Sequence, residues 1–209
     1  MFIELSEALV CPACGPPQGL VVVVDRLDGR RVEDGFLGCP ICEARFPIRA
    51  GVVELGAGEG PPRELQSDPD SERVAVTIAA LFDIRDGGGY VLLDEALAPV
   101  AATVAGLTGG CEVISLADSA PGTDPPAPGV NRVTGAGGSL PVQPGRLRAL
   151  AFGQPTEARL RDAIRALGPE GRLVVLWPPP PTRELLSELP VQPLADEPAA
   201  FLGVVAQRG

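Results

Sequence analysis

The sequence predicts an α/β protein in which a small β-rich segment held by two cysteine pairs precedes a mainly parallel, doubly wound sheet. Two observations carry this. C-P-x-C occurs twice in the first 42 residues, at Cys11/Cys14 and Cys39/Cys42, and from residue 72 onward apolar runs of strand length alternate with runs of helical spacing. A third observation places the boundary: GAGEGPPRELQSDPD, residues 56–70, has almost no apolar side chains and the Gly, Pro and acid content of a connection. The expected organisation is therefore a ribbon over 1–55, a linker over 56–71 and the larger domain over 72–209.

Within the ribbon, residues 20–25 and 52–55 are β-rich, and Asp28-Gly29 and Asp34-Gly35 read as turns. Beyond the linker, Val76, Ala79, Ala80 and Ile84, with Leu81 beside them, fall on one face of a helix over 72–84. Strands are expected at 90–93, 112–116, 147–152, 172–177 and 199–207, with helices at 99–107, 156–167 and 182–189 between them. Strands interleaved with helices imply a parallel sheet covered on both faces. The proline-rich stretch 118–131 reads as a loop where a helix would be due. Trp177 and the four prolines after it read as a stiff connection or as an extended docking surface. No internal repeat is visible.

The apolar content, 45%, supplies a packed core. The longest apolar run, residues 20–24, is far short of the roughly 20 residues that cross a bilayer, and no basic segment precedes an apolar one at the start. A cytoplasmic protein without membrane insertion is expected. The formal charge is −10, and all 17 basic residues are arginines that form no run able to track a phosphate backbone, so no direct nucleic-acid contact is expected. There is no histidine and no lysine, which removes the commonest general acid/base and the usual amine nucleophile. Cys111 reads as a small buried side chain.

Each C-P-x-C presents two thiolates on one side of a tight loop, and with residues 15–38 between them the two pairs can close a tetrahedron around structural Zn²⁺. Two disulfides and a thioredoxin-like redox pair are the competing readings. The first requires an oxidising compartment and the second a helix start in a βαβ unit. Cys11, Cys14, Cys39 and Cys42 are the expected metal ligands.

After the second knuckle come Phe46-Pro47-Ile48-Arg49 and Gly51-Val52-Val53. Here the first 55 residues resemble the small zinc-ribbon proteins that activate tRNA and protein methyltransferases. That resemblance implies a platform for protein contact, often made by adding a strand to a partner's sheet. A ribbon that only caps its own neighbouring domain fits the residues as well.

Three stretches of the larger domain resemble class I SAM-dependent methyltransferases: residues 90–98 (YVLLDEALA), 135–141 (GAGGSLP) followed by 147–152, and 160–176 (LRDAIRALGPEGRLVVL). Residues 191–198 and 199–207 resemble that family's terminal antiparallel hairpin. The resemblance implies a Rossmann-like methyltransferase-type sheet, with Asp94, Ala96, Ala98 and Asp118 as the positions facing SAM if it binds. Yet the family's D-x-G-x-G loop is matched by Asp94-Glu95-Ala96-Leu97-Ala98, with alanine at both glycines. The ribose-binding acid is matched by Ala117, with Asp118 one position late. The adenine-facing acid is matched by Ala136, and the aspartate before the fourth strand by Arg148. SAM is therefore not expected as a cofactor and no catalytic residue is expected. The expected function is a non-catalytic subunit or protein-binding module. The alternatives are a divergent methyltransferase and an activator of a separate methyltransferase; an unrelated doubly wound sheet is the competing reading of the fold.

Overall fold

The computed structural model describes residues 1–56, 70–117, 126–135 and 137–205. The ribbon is an antiparallel meander of β1 (Val21–Asp28), β2 (Arg31–Gly38), β3 (Arg45–Arg49) and β4 (Val52–Glu54). Asp28-Gly29 does make the β1–β2 turn. Asp34-Gly35 does not turn the chain: it lies inside β2, opposite the register shift between Val24 and Arg26. Gly35 takes φ +152° there, where a Cβ would stand 2.2 Å from the Val23 carbonyl oxygen. An Asp-Gly pair serves a bulge as readily as a turn, which is why the sequence misleads at this point.

The larger part supplies β5 (Tyr90–Leu93), β6 (Glu112–Ala117), β7 (Val130–Thr134), β8 (Leu147–Phe152), β9 (Leu167–Leu176), β10 (Val191–Glu197) and β11 (Ala200–Val205). All eleven strands form one sheet in the order β1-β2-β3-β4-β7-β6-β5-β8-β9-β11-β10. Pairing is parallel from β4 to β9 and antiparallel for β9–β11–β10, so the expected terminal hairpin is present. The helices are α1 (Ser71–Phe82), α2 (Ala101–Leu107), α3 (Glu157–Ala166) and α4 (Pro180–Glu188), with a 3₁₀ helix over Glu95–Val100. Among the described residues no helix is long and apolar enough to cross a membrane.

Strand periodicity sorts the core into two layers. Val91, Val113 and Val174 pack with Ile78, Phe82 and Val104 of α1 and α2. Leu92, Ile114 and Leu173 pack with Leu160, Ala163 and Leu186 of α3 and α4, in the same cluster as Leu5, Leu37 and Ile48 of the ribbon. The ribbon thus shares a hydrophobic core with one face of the larger sheet. Most of the expected linker, residues 57–69, lies outside the described residues.

Three differences from the sequence reading have local causes. β7 begins inside the expected loop, 118–131, and runs on to Thr134 as a strand not read from the sequence, because Asn131 and Arg132 interrupt the apolar pattern. Asn131 is nevertheless fully buried, its oxygen accepting from Phe2 N and its Nδ2 donating to Glu112, both at 2.6 Å. β9 begins at Leu167 rather than 172, its pairing with β8 interrupted by a bulge in which Glu170 takes φ +59°. α4 begins at Pro180 rather than 182, since proline is well suited to the first helical turn; half of the proline run is helix start, not extended chain.

Candidate metal centre and cofactor crevice

The four expected ligands come together. The sulfurs of Cys11, Cys14, Cys39 and Cys42 all lie within 4.8 Å of one another, with Cys11–Cys42 at 3.7 Å and Cys14–Cys39 at 3.8 Å. A tetrahedron with Zn–S bonds of about 2.3 Å has S–S edges of about 3.8 Å, whereas a disulfide holds sulfurs at about 2.05 Å. The four cysteines could therefore hold a metal ion, and their spacing is not that of disulfides. Each knuckle is a turn closed by a backbone bond, Gly15 N to Cys11 O at 2.8 Å and Glu43 N to Cys39 O at 3.0 Å. The residue after each second cysteine is left-handed, Gly15 at φ +72° and Glu43 at φ +60°. The amides of Cys42 and Ile41 lower the Cys39 thiol to about 6. Hydrogen bonding with the Cys42 thiol, desolvation and hydrogen bonding with the remaining thiols push Cys14 up to about 12. The Cys39 thiolate is thus favoured, and a bound cation would favour thiolates at all four positions.

The ribbon joins the sheet through β4, the second strand after the second knuckle. β4 pairs in parallel with β7, Val53 opposite Val133 and Glu54 opposite Thr134, and Leu55 N donates to Thr134 O at 2.9 Å. A second seam lies beyond β7, where Val10 N donates to Pro141 O and Gln143 N to Ala8 O. β4 is thus paired on both sides within this chain's own sheet.

In an open parallel sheet the ligand crevice lies outside the carboxyl ends of the strands where the strand order reverses, here between β5 and β8. Asp94 stands at that point, buried at the end of β5. Its Oδ2 accepts from Gly153 N at 2.9 Å and Gln154 N at 3.1 Å, both just past β8. The carboxylate therefore bridges the two strands that flank the crevice. Among the described residues its Oδ1 is buried without a hydrogen-bond partner, and burial raises its pKa despite the amide bonds. The chain does not form a glycine loop after Asp94; it enters the 3₁₀ helix directly, and none of residues 94–100 takes a positive φ. Ala96 is exposed and Ala98 half-buried. A Cβ built at Gly153 would stand 2.9 Å from the Ala96 methyl, so residue 153 is glycine where the two loops touch.

Glu95 adds a second link. It forms a two-point ion pair with Arg159 of α3, one contact at 2.7 Å, with both side chains about six-sevenths buried (13% and 14% exposed). Arg159 also donates to Gly137 O at 3.0 Å, so one guanidinium ties α3 to the loops after β5 and β7. Neither this pair nor the Asp94 bridge is visible as a motif, because partners 64 and 60 positions apart meet only through the strand order. Asp118 and Ala136 lie outside the described residues. Arg148 sits on the other end of the sheet, paired with Asp86 at 2.7 Å, and Cys111 is buried with its thiol donating to Gly88 O. A cavity of about 450 Å³ opens beside the 3₁₀ helix, between α1 and the end of β9 at Trp177.

No protein-family model matches the sequence, and no curated protein sequence does. Solved structures match by fold. A Burkholderia thailandensis 1,6-didemethyltoxoflavin-N1-methyltransferase with bound substrate and S-adenosylhomocysteine aligns at a TM-score of 0.53 and 13% identity, over 69% of this chain and 82% of its own. An Aquifex aeolicus SAM-dependent methyltransferase aligns at 0.51 and 11%, over 66% and 94%. A chain from the complex between the Haloferax volcanii Trm112 methyltransferase activator and a putative methyltransferase aligns at 0.50 and 12%, over 66% and 92%. The fold is that of the Rossmann-like class I methyltransferases.

Proposed function

We propose that this chain is a non-catalytic protein: a zinc-stabilised ribbon built into a class I methyltransferase-like domain, acting as a subunit or protein-binding module of a larger assembly. The observation that carries the reading is the Asp94 bridge. The carboxylate at the switch point, the position that resembles the family's first cofactor contact, accepts two amides of its own chain, and the loop behind it is a 3₁₀ helix carrying alanines. These residues do not fit SAM: a ligand there would have to displace the Gly153 and Gln154 amides and lie against two added methyl groups. Four closely grouped thiols in two rigid turns fit Zn²⁺ in a closed structural site. For the partner, the outer edge of β1, which pairs with no other strand among the described residues, is the best-suited surface, since Val21, Val23, Val24 and Leu27 are exposed along it and an added strand would cover them.

The second reading, a divergent SAM-dependent methyltransferase, draws support from the cavity beside the 3₁₀ helix and from the unpartnered Asp94 Oδ1. Calorimetric titration of the full chain with SAM and S-adenosylhomocysteine separates the two. No heat of binding at millimolar ligand is expected; a micromolar Kd for either compound overturns the non-catalytic reading.

A further inference from the structure

The two knuckles present their thiols unequally. Cys11 and Cys39, the first cysteine of each, are buried, while Cys14 and Cys42, the second of each, are exposed. The residues between them, Pro12, Ala13, Pro40 and Ile41, are exposed as well, so this side of the site faces solvent. The close sulfur contacts cross between the knuckles: exposed Cys42 stands 3.7 Å from buried Cys11, and exposed Cys14 stands 3.8 Å from buried Cys39. Each exposed thiol thus has a sheltered thiol of the other knuckle as its neighbour.

We propose that the four-cysteine site is also an oxidative modification site: a peroxide converts it from a zinc–thiolate centre into two disulfides that join the knuckles, Cys11–Cys42 and Cys14–Cys39, with loss of the metal. The proposal rests on the zinc reading given above. The outer sulfur of Cys42 attacks one peroxide oxygen; an S–O bond forms, the O–O bond breaks, and hydroxide leaves with the electron pair, giving a sulfenic acid. The Cys11 thiolate then attacks the Cys42 sulfur, an S–S bond forms, and a second hydroxide leaves. Two thiolates have lost two electrons, and one peroxide has been reduced to two hydroxides. Cys14 and Cys39 repeat the sequence with a second peroxide, after which no thiolate is left to hold a metal.

Crosswise closure follows from the backbone as well as from the contacts. Bringing the sulfurs from 3.7 or 3.8 Å to a disulfide length of about 2.05 Å asks for about 1.7 Å of approach, shared between two turns. These bonds tie residue 11 to 42 and 14 to 39, the same two turns that a metal ties. A disulfide within a knuckle, Cys11–Cys14 or Cys39–Cys42, ties a turn only to itself and leaves the knuckles unjoined. The oxidised chain therefore keeps the ribbon closed without zinc. Cys111, buried with its thiol donating to Gly88 O at 3.0 Å, takes no part.

Zinc in the reduced full chain is measured first, by elemental analysis. Hydrogen peroxide is then added in steps with a chromogenic zinc chelator present. About one zinc should leave for every two peroxides consumed. Thiols counted in denaturant should fall from five to the single Cys111. Far-UV circular dichroism should be unchanged, and dithiothreitol with added zinc should restore the starting thiol and zinc content. Trypsin separates residues 1–26 from 32–45, and the oxidised chain should yield these two peptides joined, with fragmentation pairing 11 with 42 and 14 with 39. Four results each overturn this proposal alone: the two peptides recovered apart, sulfinic or sulfonic acids in place of disulfides, a lost dichroism spectrum, or zinc still bound at about tenfold excess peroxide. A reduced chain without zinc overturns the metal reading, and this proposal with it.

Discussion

Replacing Asn131 by alanine tests whether ribbon and sheet are one cooperative body. The Asn131 amide is fully buried at the seam, accepting from Phe2 N of the ribbon and donating to Glu112 of β6, both at 2.6 Å. Asn131→Ala removes a neutral bond worth about 1 kcal/mol and one to a charged acceptor worth about 1.5–3 kcal/mol, and leaves a backbone N–H unpaired. A loss of about 3 kcal/mol follows, which for a chain of this size lowers Tm by about 6–12 °C. Urea unfolding should be followed by two probes, Trp177 emission for the sheet and release of zinc to a chromogenic chelator for the ribbon. Shared burial of Leu37 and Ile48 with Leu92 and Ile114 means that both midpoints should coincide in the parent protein and fall together in the variant. A loss below about 1 kcal/mol, or a zinc-release midpoint that falls while the Trp177 midpoint stays, refutes the reasoning.

Three further outcomes are expected. Cys39→Ser should reduce zinc from about one per chain to a small fraction by elemental analysis, and unchanged content would count against the four-thiolate site. Glu43→Gly should raise stability by up to about 1 kcal/mol in urea, because Glu43 holds the left-handed position that Gly15 holds in the first knuckle; a clear loss would contradict the strain argument. Burial raises the Asp94 pKa above its ordinary 3.8, so the folded chain holds this proton more tightly than the unfolded one. The contribution of Asp94 to stability is therefore greatest below about pH 4 and declines as pH rises through the raised value, so the parent should lose stability relative to Asp94→Asn over that interval. Asp83 and Asp86, lowered by Arg85 and Arg148, act in the opposite sense, losing their contribution as pH falls through their lowered values, and they are common to both proteins. A pH-independent difference between the two would refute the assignment.

The grouping of the four cysteines was legible because its pattern is local: each knuckle is a four-residue turn, and only the pairing of two turns needs the fold. The sheet was legible where strands are buried on both faces, as at Val91-Leu92-Leu93, whose continuous apolar run leaves little other reading. β7 was not, since a buried Asn131 reads as a loop residue until Phe2 and Glu112 are placed beside it. The crevice was half legible. Alanines at 96 and 98 announced the absent glycines, but the Asp94 bridge and the Glu95–Arg159 pair join residues about sixty positions apart and leave no periodic trace.

Strand order also bears on the alternative in which the chain activates a separate methyltransferase. A ribbon that lends a strand needs a free edge, yet β4 is paired with β3 on one side and β7 on the other. The edge of β7 that would receive such a strand is likewise filled, by the chain's own β4. Pairing between two segments of one chain has a high effective concentration, so a second protein would compete poorly for either strand. An activator acting in this manner acts on its own chain. Any contact with another protein then falls to surfaces outside the β4–β7 seam, and the edge of β1, with its exposed valines, is where the apolar side chains are waiting to be covered.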